Sequence, residues 1–282
     1  MERQADIWLL FLLLTLCFGN AVAAPTRIVS MNLCTDELVL ALADRTHIQS
    51  LSWFVADPNM SWSAPQAKGI PLNHGLAEEI IPLEPDLIVT GAFSNRATID
   101  VLKRLGYHVV ELELATNLDA VARQIGILAG LLEQDERGES LLADMRARIA
   151  QMEGGERYGE LSAVVYEPNG YVAGVGSLAD EVIQVAGLRN LAVDLNLLSY
   201  SQFPLELLIT HRPDLLIMNR LSDGAPSLAH AVLDHPALAE AFSAKEVVSI
   251  PSQAWSCGSP RLLDAAEQLR RAADRVLSDA GM

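Results

Sequence analysis

The sequence predicts an α/β protein of two similar lobes, each with a small, mostly parallel sheet, joined by a long helix. Three observations carry this expectation. A stretch beginning at Leu76 recurs at Pro204, offset by 128 residues throughout. In both copies a Pro-Asp turn leads into a continuous apolar run, which a parallel strand covered on both faces requires. Between the copies, Leu118 to Met152 holds no proline and is rich in Ala, Leu, Arg and Glu. Composition agrees: 282 residues, 50% hydrophobic and 20% charged, exclude a disordered chain or a coiled coil. At ~150 residues per domain, the length suits two units.

The repeat orders the elements. Glu78 falls on Glu206, Ile81 on Ile209, Pro85 on Pro213, Asp86 on Asp214 and Leu87 on Leu215. Each copy reads as a short helix, a turn and a strand. Upstream, Asp36 to Ala43 resembles Asp180 to Gly187, both amphipathic helices opening with acids that suit the helix dipole. A strand precedes each, Arg27 to Met31 and Leu161 to Tyr166. A helix and a strand follow each repeat: Val101 to Leu105 then His108 to Leu112, and Leu228 to Leu233 then Val247 to Ile250. Two βαβ-type lobes result. In the joining segment Gly126, Gly130 and Gly138 are candidate breaks. Glu139 to Met152 is strongly helical, with Arg146 and Arg148 opposite Leu142, Met145 and Ile149, and forms a stiff spine that Gly154-Gly155 ends.

The first residues stand apart. Ile7 to Phe18 is apolar except for Thr15, too short for the ~20 residues of a bilayer span, and Ala21-Val22-Ala23 supplies small residues for cleavage. A secretory signal over 1–23 is expected; lipid attachment at Cys17 is the alternative, against which Leu16 stands where a small residue belongs. The expected organisation is a signal at 1–23, an N-terminal lobe at 24–116, the spine at 117–155 and a C-terminal lobe at 156–282. Net charge is −16, and loss of Glu2, Arg3 and Asp6 leaves −15. A nucleic-acid partner is unexpected in such a field.

The motifs Arg27-Ile28-Val29-Ser30, the two Pro-Asp-Leu runs, Leu105-Gly106-Tyr107-His108-Val109-Val110, and Leu178-Ala179-Asp180-Glu181-Val182 through Gly187 extend over nearly all of the chain beyond the signal. In this order they resemble the periplasmic substrate-binding proteins of ABC importers, in the helical-spine class that handles cobalamin, ferric siderophores or haem. The resemblance implies a non-catalytic, periplasmic monomer without resident cofactor, whose partners are a small metal chelate and a permease dimer. The ligand cleft would lie between the lobes, outside the carboxyl ends of the strands, as in open α/β sheets generally. Loops past those ends make Cys34, Thr35, Trp53, Trp62, Phe93, Asn95 and Arg96 candidate ligand contacts in the first lobe. Tyr166, Asn219, Arg220, Trp255 and Arg261 are candidates in the second. Aromatic faces grip flat macrocycles, although Trp53 and Phe54 also suit the lobe core, as do Trp62 and Trp255. Arg96, Arg220 and Arg261 offer planar donor forks to anionic ligand groups.

Family members dock through one exposed Glu per lobe, a role that falls on Glu78 and Glu206. Both also suit helix first turns as caps. Cys34 and Cys257 admit a disulfide, a metal-contacting pair or two unpaired thiols. Among His47, His74, His108, His211, His230 and His235, only His74 sits on a cleft-side loop, so capture of a bare transition metal ion is the second reading. Gly174-Val175-Gly176-Ser177-Leu178-Ala179, with Asp194 twenty residues on, matches a dinucleotide fingerprint in poor context. A tight turn with Ser177 capping the next helix is simpler. An exported hydrolase using Ser177, Asp180 and a distant His is a third, unsupported reading.

Overall fold

The computed structural model describes residues 24–153, 158, 160–218 and 227–280. The expected signal, residues 1–23, and two candidate contacts, Asn219 and Arg220, lie outside them. Two separate sheets form. The first comprises β1 (Ile28–Ser30), β2 (Ile48–Ser52), β3 (Leu72–Asn73), β4 (Leu87–Gly91) and β5 (Val109–Leu112). It is wholly parallel in the order β3-β2-β1-β4-β5. Its helices are α1 (Leu33–Leu42), α2 (Ala64–Ala67), α3 (Ala77–Ile80) and α4 (Arg96–Arg104).

The joining segment holds α5 (Leu118–Leu131) and α6 (Asp135–Glu153). The 19 residues of α6 form a rod of about 28 Å. The break between the two falls at Leu132 to Gln134, where Glu133 turns left-handed at φ 52°, and not at the three glycines proposed as breaks. Gly126 and Gly130 lie inside α5, and Gly138 inside α6 makes close packing possible. A Cβ there would stand 2.5 Å from Ala129 Cβ on the facing helix. Asn117 caps α5, its side chain accepting from Ala120 N at 2.8 Å. Val121, Ile125, Leu128 and Ala129 then form the buried stripe.

The second lobe carries β6 (Ser162–Glu167), β7 (Tyr171–Val172), β8 (Arg189–Asn190), β9 (Ser201–Gln202), β10 (Leu215–Met218) and β11 (Val247–Ser249). Its helices are α7 (Leu178–Val185), α8 (Leu191–Asp194), α9 (Leu205–His211), α10 (Pro236–Ala241) and α11 (Leu262–Ala280). The strand order is β11-β10-β6-β7-β9, with β8 also on β6. Pairs among β11, β10, β6 and β8 are parallel; β7 is antiparallel to β6 and β9. The helix expected over Leu228 to Leu233 is instead turns, and α10 begins at Pro236. There the fixed φ of proline suits the first turn, and His235 caps Ala237 N at 3.2 Å.

The repeat is visible in three dimensions. Glu84, which ends the 3-10 turn Ile81–Leu83 that follows α3, and Arg212, which ends α9, are 128 apart and left-handed at φ 44° and 41°. Asp86 accepts from Thr26 N and Arg27 N at 2.8 and 3.0 Å, and Asp214 accepts from Ser162 N at 2.7 Å. Each Pro-Asp turn thereby fastens the incoming strand to the start of its lobe's central strand. Asp36 and Asp180 repeat too: the first receives Ser52 N at 3.1 Å, the second Asn190 Nδ2 at 3.1 Å.

Behind the two sheets the cores merge. One buried apolar cluster runs from Ile28, Leu38 and Leu87 through Val121, Ile125 and Met145 to Ala163, Val182 and Leu269. An interface of that kind resists domain motion. The dinucleotide-like motif is explained by packing. A Cβ on Gly174 would sit 2.0 Å from Leu197 O, Gly176 turns at φ 81°, and Ser177 Oγ accepts from Asp180 N at 3.1 Å.

Candidate binding cleft

Loops beyond the carboxyl ends of β1, β2, β4, β5 and β11 come together between the lobes. Asn32 starts α1 right after β1, its side chain capping Cys34 N at 2.9 Å and donating to Ala92 O at 3.0 Å in the loop after β4. That double use ties two loops of the first lobe. From the second lobe, Gln253 Nε2 donates to Pro58 O at 3.2 Å. Cys34 and Cys257 are joined in a disulfide with a Cα separation of 4.9 Å. The bond connects the first turn of α1 to the loop after β11, so it spans the two lobes.

Beside the disulfide lies a cavity of ≈ 360 Å³, within the size range of small-molecule sites. Its walls are mainly apolar: Leu38, Phe54, Met60, Phe93, Leu112 and Leu114, with Ser256 and Gly258 contributed by the second lobe. Gly258 is required there, because a Cβ would stand 2.7 Å from Val121 Cγ2 and 2.9 Å from Ala115 Cβ.

An apolar surface is left open around this cavity. Trp53, Phe54, Met60 and Trp62, all on the loop after β2, are 42, 36, 37 and 40% exposed, and Phe93 is 93% exposed. Phe93 also adopts φ 67°, a left-handed conformation that a bulky side chain avoids unless something is gained. Trp53 lies against Phe54 with ring centroids 4.3 Å apart, and against His74 at 6.1 Å. On the second lobe Leu198 and Tyr200 are 67 and 71% exposed, Tyr200 at φ 60°.

The remaining candidate contacts divide. Thr35 backs the cavity, its hydroxyl donating to Asn32 O at 2.9 Å and lying 2.7 Å from Ser30 Oγ. Asn95 caps α4 through Ala97 N at 3.1 Å. Arg96 pairs with Glu111, whose carboxyl Lys103 and Arg96 hold below its ordinary range against its partial burial. Tyr166, expected at the cleft, is a core residue: fully buried, its hydroxyl donating to Phe203 O at 3.2 Å. Trp255 is buried as well and hydrogen-bonds Glu167, whose carboxyl burial nevertheless pushes up. Arg261 lines a second cavity, with Glu37, Arg148 and Asp264, and not the one beside the disulfide. Both corrections share a cause: a residue at a strand end faces the cleft or the core according to its pleat, and the loop after β11 folds inward.

Glu78 and Glu206 occupy the first turns of α3 and α9, and both are exposed. Among the described residues neither meets a cation in an ion pair. His74 is occupied, its Nδ1 2.8 Å from Glu79 Oε1. Met60, Leu114 and Gln124 were missed as lining groups, Met60 being a single residue in a polar loop with no pattern to mark it.

Two α/β lobes, a rigid helical connection and an open apolar cleft between strand ends define a two-lobed solute receptor. The periplasmic binding protein family matches residues 28–254, and the chain belongs to that family. The chain is similar to the cobalamin-binding protein of Halobacterium salinarum, 23% identical over 256 residues that make up 88% of this chain and 69% of the relative. Among solved structures, the periplasmic heme-binding protein HutB of Vibrio cholerae matches with a TM-score of 0.72 and 21% identity, over 87% of this chain and 98% of that one. The periplasmic vitamin B12-binding protein BtuF of Vibrio cholerae matches at 0.67 and 20%, over 90% and 98%. These family members and neighbours are binding proteins.

Proposed function

We propose that the protein is the solute-binding component of an ABC importer and that its cargo is a neutral, amide-bearing metal chelate of the corrinoid type. The observation that carries this reading is the cleft itself, an open apolar surface with its described arginines engaged elsewhere. Arg96 is paired with Glu111, and Arg261 lies in the field of Glu37. A carboxylate-bearing porphyrin or an anionic ferric siderophore needs a free donor fork; a corrinoid is served by aromatic faces and backbone groups. The cobalamin-binding relative supports the same choice. The receptor works outside the cytoplasm, in the periplasm after removal of 1–23, as a monomer with lobes at 24–116 and 156–282 and the spine at 117–155. Glu78 and Glu206 dock onto the two halves of a permease. Titration of tryptophan fluorescence with cyanocobalamin should give saturable quenching and a raised Tm, with haemin binding more weakly. A flat titration with both would refute the reading.

A further inference from the structure

The first turn of α1 touches the second lobe at two places. Cys34 is bonded to Cys257, and one turn later Glu37 meets the same incoming loop at Ser259 and Arg261. Glu37 is 6% exposed. Its Oε1 accepts from Ser61 Oγ at 3.1 Å, and that hydroxyl in turn accepts from Ser63 N at 3.0 Å. A hydrogen bond from Ser259 and the nearby Arg261 guanidinium complete its surroundings. Ser61, Ser63 and Ser259 are themselves buried. One carboxylate therefore holds two segments whose other described direct hydrogen bond is the single one from Gln253 Nε2 to Pro58 O. The first is the end of the loop that carries Trp53, Phe54, Met60 and Trp62. The second is the loop of the other lobe that supplies Ser256 and Gly258 to the cavity wall.

We propose that Glu37 is a positioning residue of the binding cleft, holding the aromatic loop of one lobe against the β11 loop of the other so that their spacing fits the chelate. It is not among the groups lining the cavity beside the disulfide and is itself 6% exposed, so its part is to position the walls. The inference rests on the chelate-receptor reading. Burial raises the Glu37 carboxyl above its ordinary range, opposed by the Ser61 and Ser259 hydrogen bonds and by Arg261. As pH falls it is therefore neutralised before an ordinary Glu carboxyl, which weakens the bonds it accepts and releases Arg261. Other charged groups near it are Asp36 on its own helix and Arg148 and Asp264 around the same cavity.

The test uses wild-type protein, Glu37→Gln and Ser259→Ala, with cyanocobalamin and haemin as probes. In the ligand-free proteins, hydrogen exchange is followed at 59–66 and 254–263. Dissociation constants are then measured from pH 8 to pH 5.5. Expected are faster exchange in both segments for Glu37→Gln, and affinity about tenfold weaker at pH 8, the loss of roughly one charged hydrogen bond. The variant's affinity should also fall less with acid than that of wild type. Asp36 titrates in both proteins, and the variant removes only the small Glu37 contribution to its shift. Ser259→Ala should show a smaller loss in the same direction. Unchanged exchange in both segments, or an affinity and pH profile equal to wild type, would overturn the positioning role while leaving the receptor reading intact. Failure of wild type to bind either probe would remove both.

Discussion

Asp36 offers a quantitative test of how the first lobe is built. Its carboxylate is fully buried at the start of α1, receiving Ser52 N at 3.1 Å and the Ser52 hydroxyl. Desolvation outweighs the hydrogen bonds from Ser30 and Ser52 and, with a small push from Glu37, raises the pKa from 3.8 to about 7. The group therefore binds its proton more tightly folded than unfolded. Its contribution to stability is complete below the unfolded value near 3.8 and is lost as pH rises through about 7. Three pKa units at 1.36 kcal/mol each make that loss ~4 kcal/mol as an upper bound. Asp36→Asn removes the ionisation, while the amide can still accept from Ser52 N and donate to Ser52 Oγ. Urea unfolding of both proteins at pH 4, 5, 6, 7 and 8 should show the variant gaining on wild type as pH rises, by up to ~4 kcal/mol across the series. A difference that stays constant with pH would refute the argument, because it would place the carboxylate in an environment no more apolar than the unfolded chain.

Reduction of the Cys34–Cys257 bond, or Cys34→Ser with Cys257→Ser, should lower stability by about 2–5 kcal/mol, given a sequence separation of 223. Denaturant midpoints with and without reductant measure it, and no shift would contradict a constraint on the unfolded chain. Tyr166→Phe should cost ~1 kcal/mol of stability through the lost bond to Phe203 O and leave chelate affinity unchanged. Phe93→Ala should do the reverse, weakening binding in fluorescence titrations at little or no cost in Tm, since the side chain is open to water and its backbone left-handed. Charge reversal at Glu78 together with Glu206 should abolish chelate uptake by cells while binding in solution persists; uptake at the wild-type rate would remove the docking role.

The repeat was legible because its parts answer to local chemistry. Asp86 and Asp214 must each accept the backbone of a first strand, so a Pro-Asp pair recurs at fixed spacing ahead of an apolar run. β2 and β3 escaped notice: Ile48–Ser52 alternates with Gln and Ser, and Leu72–Asn73 is two residues long. The inward turn of Trp255 depends on Glu167, 88 positions earlier, a partner that no pattern around residue 255 announces. Ser177 and its glycines show the opposite case, packing that imitates a chemical motif, and the tight turn with a Ser177 cap is the simpler reading. Their spacing fits a phosphate-binding turn, yet the carbonyl of Leu197 occupies the space next to Gly174.

The fastening of the lobes constrains how affinity arises. In a hinged receptor, closure buries the cleft walls and ligand binding selects the closed form. Here closure is opposed by the disulfide, by the contacts of Glu37 with Ser259 and Arg261, by Leu118 N donating to Glu181 across the joint at 3.1 Å, and by a core that runs unbroken behind the sheets. On the proposed receptor reading, the aromatic surface of Trp53, Trp62 and Phe93 is covered by the ligand itself. Covering ~200 Å² of apolar surface at ~25 cal/mol per Å² yields ~5 kcal/mol before association costs. A rigid cleft keeps those costs low because little of the protein remains to be ordered. Tight binding without large movement is thus consistent with this architecture.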